Sequence, residues 1–177
     1  MVTSNMNLWP ALCGSFLLLV TSSGCSLGTH WPPAVSSASD IDQLPQTQRD
    51  IRGINLGEPE ILLIANRFSN LDYLFLNSHS TITDTSAIAV ARLEKLRQIV
   101  INDGSDLTDK GLAAISEMVA LRELIIDNGE HLTNASLDSL ARNRRLKLLY
   151  LNGCPNLTSE AKARIREQLP NCKIRFD

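Results

Sequence analysis

Leu121, Leu124 and Ile126 recur twenty-five residues earlier as Leu96, Ile99 and Ile101, and before that as Leu71, Leu74 and Leu76. Twenty-five residues later they return as Leu146, Leu149 and Leu151, and Ile174 and Phe176 continue the series. A fixed period of this size marks stacked repeats, because each unit has one apolar side that only a neighbouring unit can cover. Ile51, Ile54 and Leu56 repeat the pattern first, only twenty residues ahead of the next copy. That short unit is expected to be the starting cap, since end repeats are atypical. Counted from there, the chain ends in a sixth strand.

Within a unit, strand side chains alternate between two faces. Leu74 and Leu76 are expected to point into the core, and Phe75 and Asn77 away from it. A loop follows, with an aliphatic–threonine pair at Ile82-Thr83, Leu107-Thr108, Leu132-Thr133 and Leu157-Thr158. The aliphatic fills the loop core, and the threonine hydroxyl can cap a helix by accepting from an early N–H. Behind each pair, apolar residues recur at helical spacing: Ala87, Val90 and Leu93; Leu112, Ile115 and Met118; Leu137 and Leu140. Each helix therefore has one stripe to pack on the sheet. Pro59 and Glu60 open the first helix, where proline is tolerated, and Pro170 marks the end of the last.

The pattern Leu-x-x-Leu-x-Leu, polar residue, loop and helix resembles the leucine-rich-repeat family over roughly residues 51–177. The run from Leu149 to Ser159 is most similar to the cysteine-containing subtype found in F-box-associated proteins and bacterial relatives, with Cys154 at the cysteine position. His79, Gly104 and Gly129 stand there in the other units. The resemblance implies an α/β solenoid of about 25-residue repeats, with parallel strands on the concave face and helices on the convex face. It also implies that Cys154 hydrogen-bonds its loop. No F-box precedes the repeats, so a ubiquitin-ligase adaptor role does not carry over.

No Lys or Arg occurs before Arg49, so the first part is a different kind of polypeptide from the rest. Leu8 to Val20 is an apolar run that is short for a bilayer span, which takes about 20 residues, and suits the core of a secretory signal. Ser23-Gly24-Cys25 after it resembles the lipobox of bacterial lipoproteins, in which a lipid is attached to the cysteine; Ser22 stands where that family usually has Leu. The expected organisation is a signal over residues 1–24, lipidation at Cys25, a Ser/Pro-rich tether over 25–48, and a repeat domain over 49–177. The expected location is the cell envelope through a lipid anchor, with simple cleavage to a secreted or periplasmic protein as the alternative.

Catalytic chemistry finds little footing. His30, His79 and His131 share no spacing, and neither a nucleophile elbow, a phosphate-cradling glycine loop nor a paired-Cys metal motif is present. Asp103, Asp106 and Asp109 alternate as calcium ligands can, but Asp109 reads better as a first-turn complement to a helix dipole. The basic run at Arg142, Arg144, Arg145 and Lys147 reads as a solvated helix end, and a net charge of −2 carries no nucleic-acid footprint. Cys154 and Cys172 are expected as separate thiols. No enzyme, metal or cofactor is expected.

Stacking the outward positions by the repeat gives one column of Phe75, Val100, Ile125, Tyr150 and Arg175, and beside it Tyr73, Gln98, Glu123, Leu148 and Lys173. A third column, Asn77, Asn102, Asp127, Asn152 and Asp177, reads as a loop-capping ladder, because Asx side chains bond nearby backbone. Apolar stripes of the first kind can mark binding sites. A non-catalytic protein-binding module is therefore expected, with Tyr73, Phe75, Val100, Ile125, Leu148 and Tyr150 as contact residues. A structural envelope component without a discrete partner is the alternative. The last strand carries Lys173, Arg175 and Asp177 outward; such edge charges discourage pairing, so a monomer is expected over an end-to-end dimer.

Overall fold

The computed structural model describes residues 32–177. The expected signal, Cys25 and the start of the expected tether lie outside the described residues. Seven parallel strands form one sheet in chain order: β1 (Ala34–Val35), β2 (Asp50–Gly53), β3 (Tyr73–Leu76), β4 (Gln98–Ile101), β5 (Glu123–Ile126), β6 (Leu148–Leu151) and β7 (Lys173–Phe176). Between them run α1 (Ala38–Gln43), α2 (Glu58–Arg67), α3 (Asp84–Val90), α4 (Asp109–Ser116), α5 (Asn134–Leu140) and α6 (Ser159–Gln168). From β3 onward each residue pairs with the one twenty-five positions ahead: Leu74 with Ile99, Ile99 with Leu124, Leu124 with Leu149 and Leu149 with Ile174. This is the α/β solenoid of about 25-residue repeats expected from the sequence. The core is a continuous aliphatic column, with Leu71, Leu74, Leu76, Leu96, Ile99, Ile101, Leu121, Leu124 and Ile126 all fully buried.

The N-terminal boundary is corrected. Residues 34–43, expected to be tether, form β1 and α1, and the compact unit begins at Pro32 rather than Arg49. β1 pairs with β2 through Ala34–Arg52 and Val35–Gly53. Val35 and Ile41 are buried and cover the open side of the next unit. Ser37 caps α1 by accepting from the Asp40 N–H at 3.2 Å, while Asp40 accepts from the Ser36 N–H at 2.8 Å. The Ser/Pro-rich composition hid a segment with one buried side chain per element. The starting cap is therefore β1 and α1, and the described residues form seven strands rather than six.

The register of β2 is corrected too. Ile51 and Gly53, not Ile54 and Leu56, align with Leu74 and Leu76. A Cβ on Gly53 would lie 2.6 Å from Leu56 Cδ1 and 2.9 Å from Leu76 Cδ2. Leu56 folds back into that space and is 1% exposed. The unit thus keeps its core volume with a glycine in the strand and the leucine in the loop.

All four expected threonine caps are in place. Thr83, Thr108, Thr133 and Thr158 precede α3 to α6 and accept from Ser86, Lys110, Ala135 and Ala161 N–H groups. The helices are shorter than the apolar spacing suggests: α3 ends at Val90 and α4 at Ser116, and Leu93 and Met118 are buried in the turns that follow. Leu93 N–H bonds Val90 O at 3.0 Å and Met118 N–H bonds Ile115 O at 3.2 Å. Those turns return the chain to the next strand while keeping the apolar residue in the core. Among the described residues, no helix is long and apolar enough to cross a membrane.

Candidate functional site

The sheet face opposite the helices carries the expected outward columns in unbroken register. Phe75 pairs with Val100, Val100 with Ile125, Ile125 with Tyr150 and Tyr150 with Arg175. Tyr73, Gln98, Glu123, Leu148 and Lys173 form the adjacent row. Arg52 and Asp50 extend the two rows onto β2. The apolar stripe is less open than a freely exposed patch: Val100 is only 7% exposed, and Tyr73, Phe75, Ile125, Leu148 and Tyr150 are half-buried. Strands lie about 4.8 Å apart, so neighbouring side chains in a column shield one another.

The Asx ladder bonds in part as expected. Asn77 Oδ1 accepts from the Asn55 N–H at 2.9 Å and the Ser80 hydroxyl at 2.8 Å. Asn152 Nδ2 donates to Asp127 Oδ1 at 3.2 Å, and the Tyr150 hydroxyl donates to Asp177 Oδ2 at 2.8 Å. Burial foremost, then the bond to Asp177 and its charge, push the Tyr150 hydroxyl up to about 12. Burial also raises Asp127, opposed by the Asn152 bond and reinforced by Asp177, and burial alone raises Glu123. The face therefore combines an apolar stripe with two half-buried carboxylates, both raised from their ordinary values.

A second ladder, on the loop side, was missed from sequence. In α2 to α5 the first helical residue reaches the threonine cap of the next unit. Thr83 Oγ1 donates to Glu58 Oε2. Asp84 accepts from the Thr108 N–H at 2.9 Å, the Thr108 hydroxyl at 2.7 Å and the Gly111 N–H at 3.0 Å. Asp109 accepts from the Thr133 N–H at 2.8 Å, the Thr133 hydroxyl at 2.6 Å and the Ser136 hydroxyl. Asn134 Oδ1 accepts from the Thr158 N–H at 3.0 Å. Burial pulls Asp84 and Asp109 upward, but these hydrogen bonds together outweigh it and hold both carboxylates low. Thus Asp109 faces the next unit rather than closing a cluster with Asp103, which accepts from the Ser105 N–H at 3.2 Å. The period of Glu58, Asp84, Asp109 and Asn134 was the available signal.

The basic run also serves neighbouring units. Asn143, 8% exposed, donates to Met118 O at 3.1 Å, Arg145 to Val119 O at 3.0 Å and Arg144 to Gln168 O. Arg122 reaches Ala120 O at 2.7 Å. These bonds satisfy carbonyls in the turn after α4 and at the last residue of α6. Cys154 is buried and donates to Asn152 O at 3.5 Å, the loop bond its position implies, and Cys172 is a separate thiol. His79 is exposed beside Ser78, while His131 lines an open depression with Cys154, Lys162 and Asp177. Among the described residues, no group of three or more His, Cys, Asp or Glu is placed to hold a metal ion.

No family model and no curated protein matches the chain. Among solved structures, a leucine-rich-repeat protein of Leptospira interrogans is similar over 74% of this chain and 38% of its own, at 17% identity and a TM-score of 0.40. This chain thus spans well under half of that protein's length. The repeat architecture rests on the strand order and register of this chain itself.

Proposed function

We propose that this chain is a non-catalytic protein-binding module that docks its partner on the sheet face. One observation carries the reading: Phe75, Val100, Ile125 and Tyr150 form a continuous apolar row across four strands on the side away from the helices. Inward positions already fill the core and the helices cover the other side, so this row is not needed to fill the core. Binding energy concentrates in such aromatic and aliphatic anchors. The test is capture from an envelope extract by the full chain and by an Ile125→Ser/Tyr150→Ser variant. A partner held by the wild type and lost by a variant that still unfolds cooperatively, with its melt nearly intact, supports the reading. Equal capture by both moves the site off this face.

Export and membrane tethering belong to the same proposal, supported by the apolar run and Ser23-Gly24-Cys25. One acyl chain anchors marginally and several hold firmly. Cys25→Ser is expected to shift the protein from the membrane to the soluble fraction, and an unchanged distribution rejects lipidation.

A further inference from the structure

Resting on the reading of the sheet face as a docking surface, we propose that its occupant is an extended protein segment that sets an arginine or lysine against Glu123 and an apolar side chain on Val100 and Ile125. Two oxygens on this face are buried without a hydrogen-bond partner: Glu123 Oε2 and Asn102 Oδ1. Buried acceptors in folded proteins nearly always have a donor. Both side chains belong to outward positions, Asn102 just past the end of β4 and Glu123 at the start of β5, so a donor can arrive from outside once the carboxylate rotates outward.

Charge selects the cation. The ion pairs among the described residues join Arg49 to Asp72, Arg67 to Asp42 and Arg164 to Asp138. None reaches Glu123 or Asp127, and burial disfavours the ionised form of both. A guanidinium, with its fork of donors, suits a carboxylate in this setting better than a neutral donor does.

Spacing selects a segment rather than a small amine. Glu123 pairs with Gln98, and Asn102 lies four residues beyond Gln98, just past the end of that strand. At about 3.3 Å per residue, the two acceptors bracket Val100 and Ile125 over ~13 Å. An extended chain of that reach places a cation at one end, an apolar side chain at the centre and a further donor at the other end. Residues 1–31 hold no Lys or Arg, so that part of the chain cannot supply the cation.

A random peptide library is selected on the full chain. Recovered peptides are then measured against wild type, Glu123→Gln and Ile125→Ser/Tyr150→Ser. Peptides with Arg or Lys beside an apolar residue are expected. Changing that basic residue to Gln should weaken binding to wild type about tenfold, equal to ~1.4 kcal/mol, and should weaken binding to Glu123→Gln little, as coupled partners do. Peptides without a basic residue, or equal affinity for Glu123→Gln, overturn this inference while leaving the docking face intact. Undiminished binding to Ile125→Ser/Tyr150→Ser overturns the docking face itself, and an empty selection counts against both. A dimer of the full chain that dissociates on Glu123→Gln would make a second copy the occupant and overturn the segment.

Discussion

Replacing Asp109 with Ala removes an acceptor that ties α4 to the cap of α5. Three hydrogen bonds are lost, from the Thr133 N–H, the Thr133 hydroxyl and the Ser136 hydroxyl. Bonds to a charged group contribute about 1.5–3 kcal/mol each in favourable cases, and a buried donor left unpaired costs about 1–3 kcal/mol. The three do not add in full. Thr133 is exposed, so water replaces much of what it loses. Ser136 is 0% exposed and its hydroxyl cannot reach water without movement. The expected loss is therefore about 2 kcal/mol, set mainly by Ser136. Adding Ser136→Ala removes the stranded donor, so the double variant should be more stable than Asp109→Ala alone. Urea unfolding at constant slope reads both, with Asp106→Ala at an exposed site as reference. The pH dependence has a definite sign. The folded carboxylate lies below its unfolded value, so its contribution is full above about pH 4 and fades as pH falls through the lowered folded value. The wild-type advantage over the variant should shrink in that acid window. A loss no larger than that of Asp106→Ala, or a double variant less stable than the single, would refute the ladder.

Leu124→Ala, at a fully buried site in the middle of the sheet, should cost about 2–5 kcal/mol in a urea melt. Gly111→Ala should destabilise by about 1–3 kcal/mol from overpacking, although alanine is the better helix former, because its Cβ would lie 2.5 Å from Asp84 Oδ1 and 2.6 Å from Leu107 Cδ1. A more stable Gly111→Ala would contradict the seat assigned to Asp84. Tyr150, pushed up to about 12, should lose its stabilising contribution as pH rises from its unfolded value near 10 through that range. Tyrosinate absorbance should show this late titration in wild type and not in Tyr150→Phe.

Legibility followed period. The inward strand positions, the threonine caps and the outward rows all repeat at twenty-five residues, and the structure places them as the sequence indicates from β3 onward. The N-terminal cap broke the period and was lost. β1 and α1 rest on Val35 and Ile41, too few apolar residues to display alternation or a helical stripe. The β2 register failed for a related reason: Leu56 supplies core volume from the loop while Gly53 occupies the strand, so hydrophobic pattern and backbone register part company. The Asp–Thr ladder failed differently. Its residues do repeat, but an acidic residue in a first helical turn has an ordinary local explanation, and nothing local says that its carboxylate bonds across units.

The structure separates positions that hold units together from positions that are free to carry a surface. The inward column runs Ile51, Leu74, Ile99, Leu124, Leu149 and Ile174, aliphatic throughout because each side chain must fill the same space against its neighbour. The loop-side column is likewise restricted to acceptors, Glu58, Asp84, Asp109 and Asn134. The outward column beside Tyr150 runs Arg52, Phe75, Val100, Ile125, Tyr150 and Arg175, and the next runs Asp50, Tyr73, Gln98, Glu123, Leu148 and Lys173. Identical backbone settings here hold a cation, an aromatic ring, an aliphatic chain and a carboxylate in turn. Strand geometry alone favours β-branched and aromatic residues at such places, and gives no reason for Glu123 to sit half-buried without a cation. The proposed docked segment supplies one: the core and the ladder already hold the register, so each outward residue can differ from its repeat mates, and under that proposal the differences are what the segment would read.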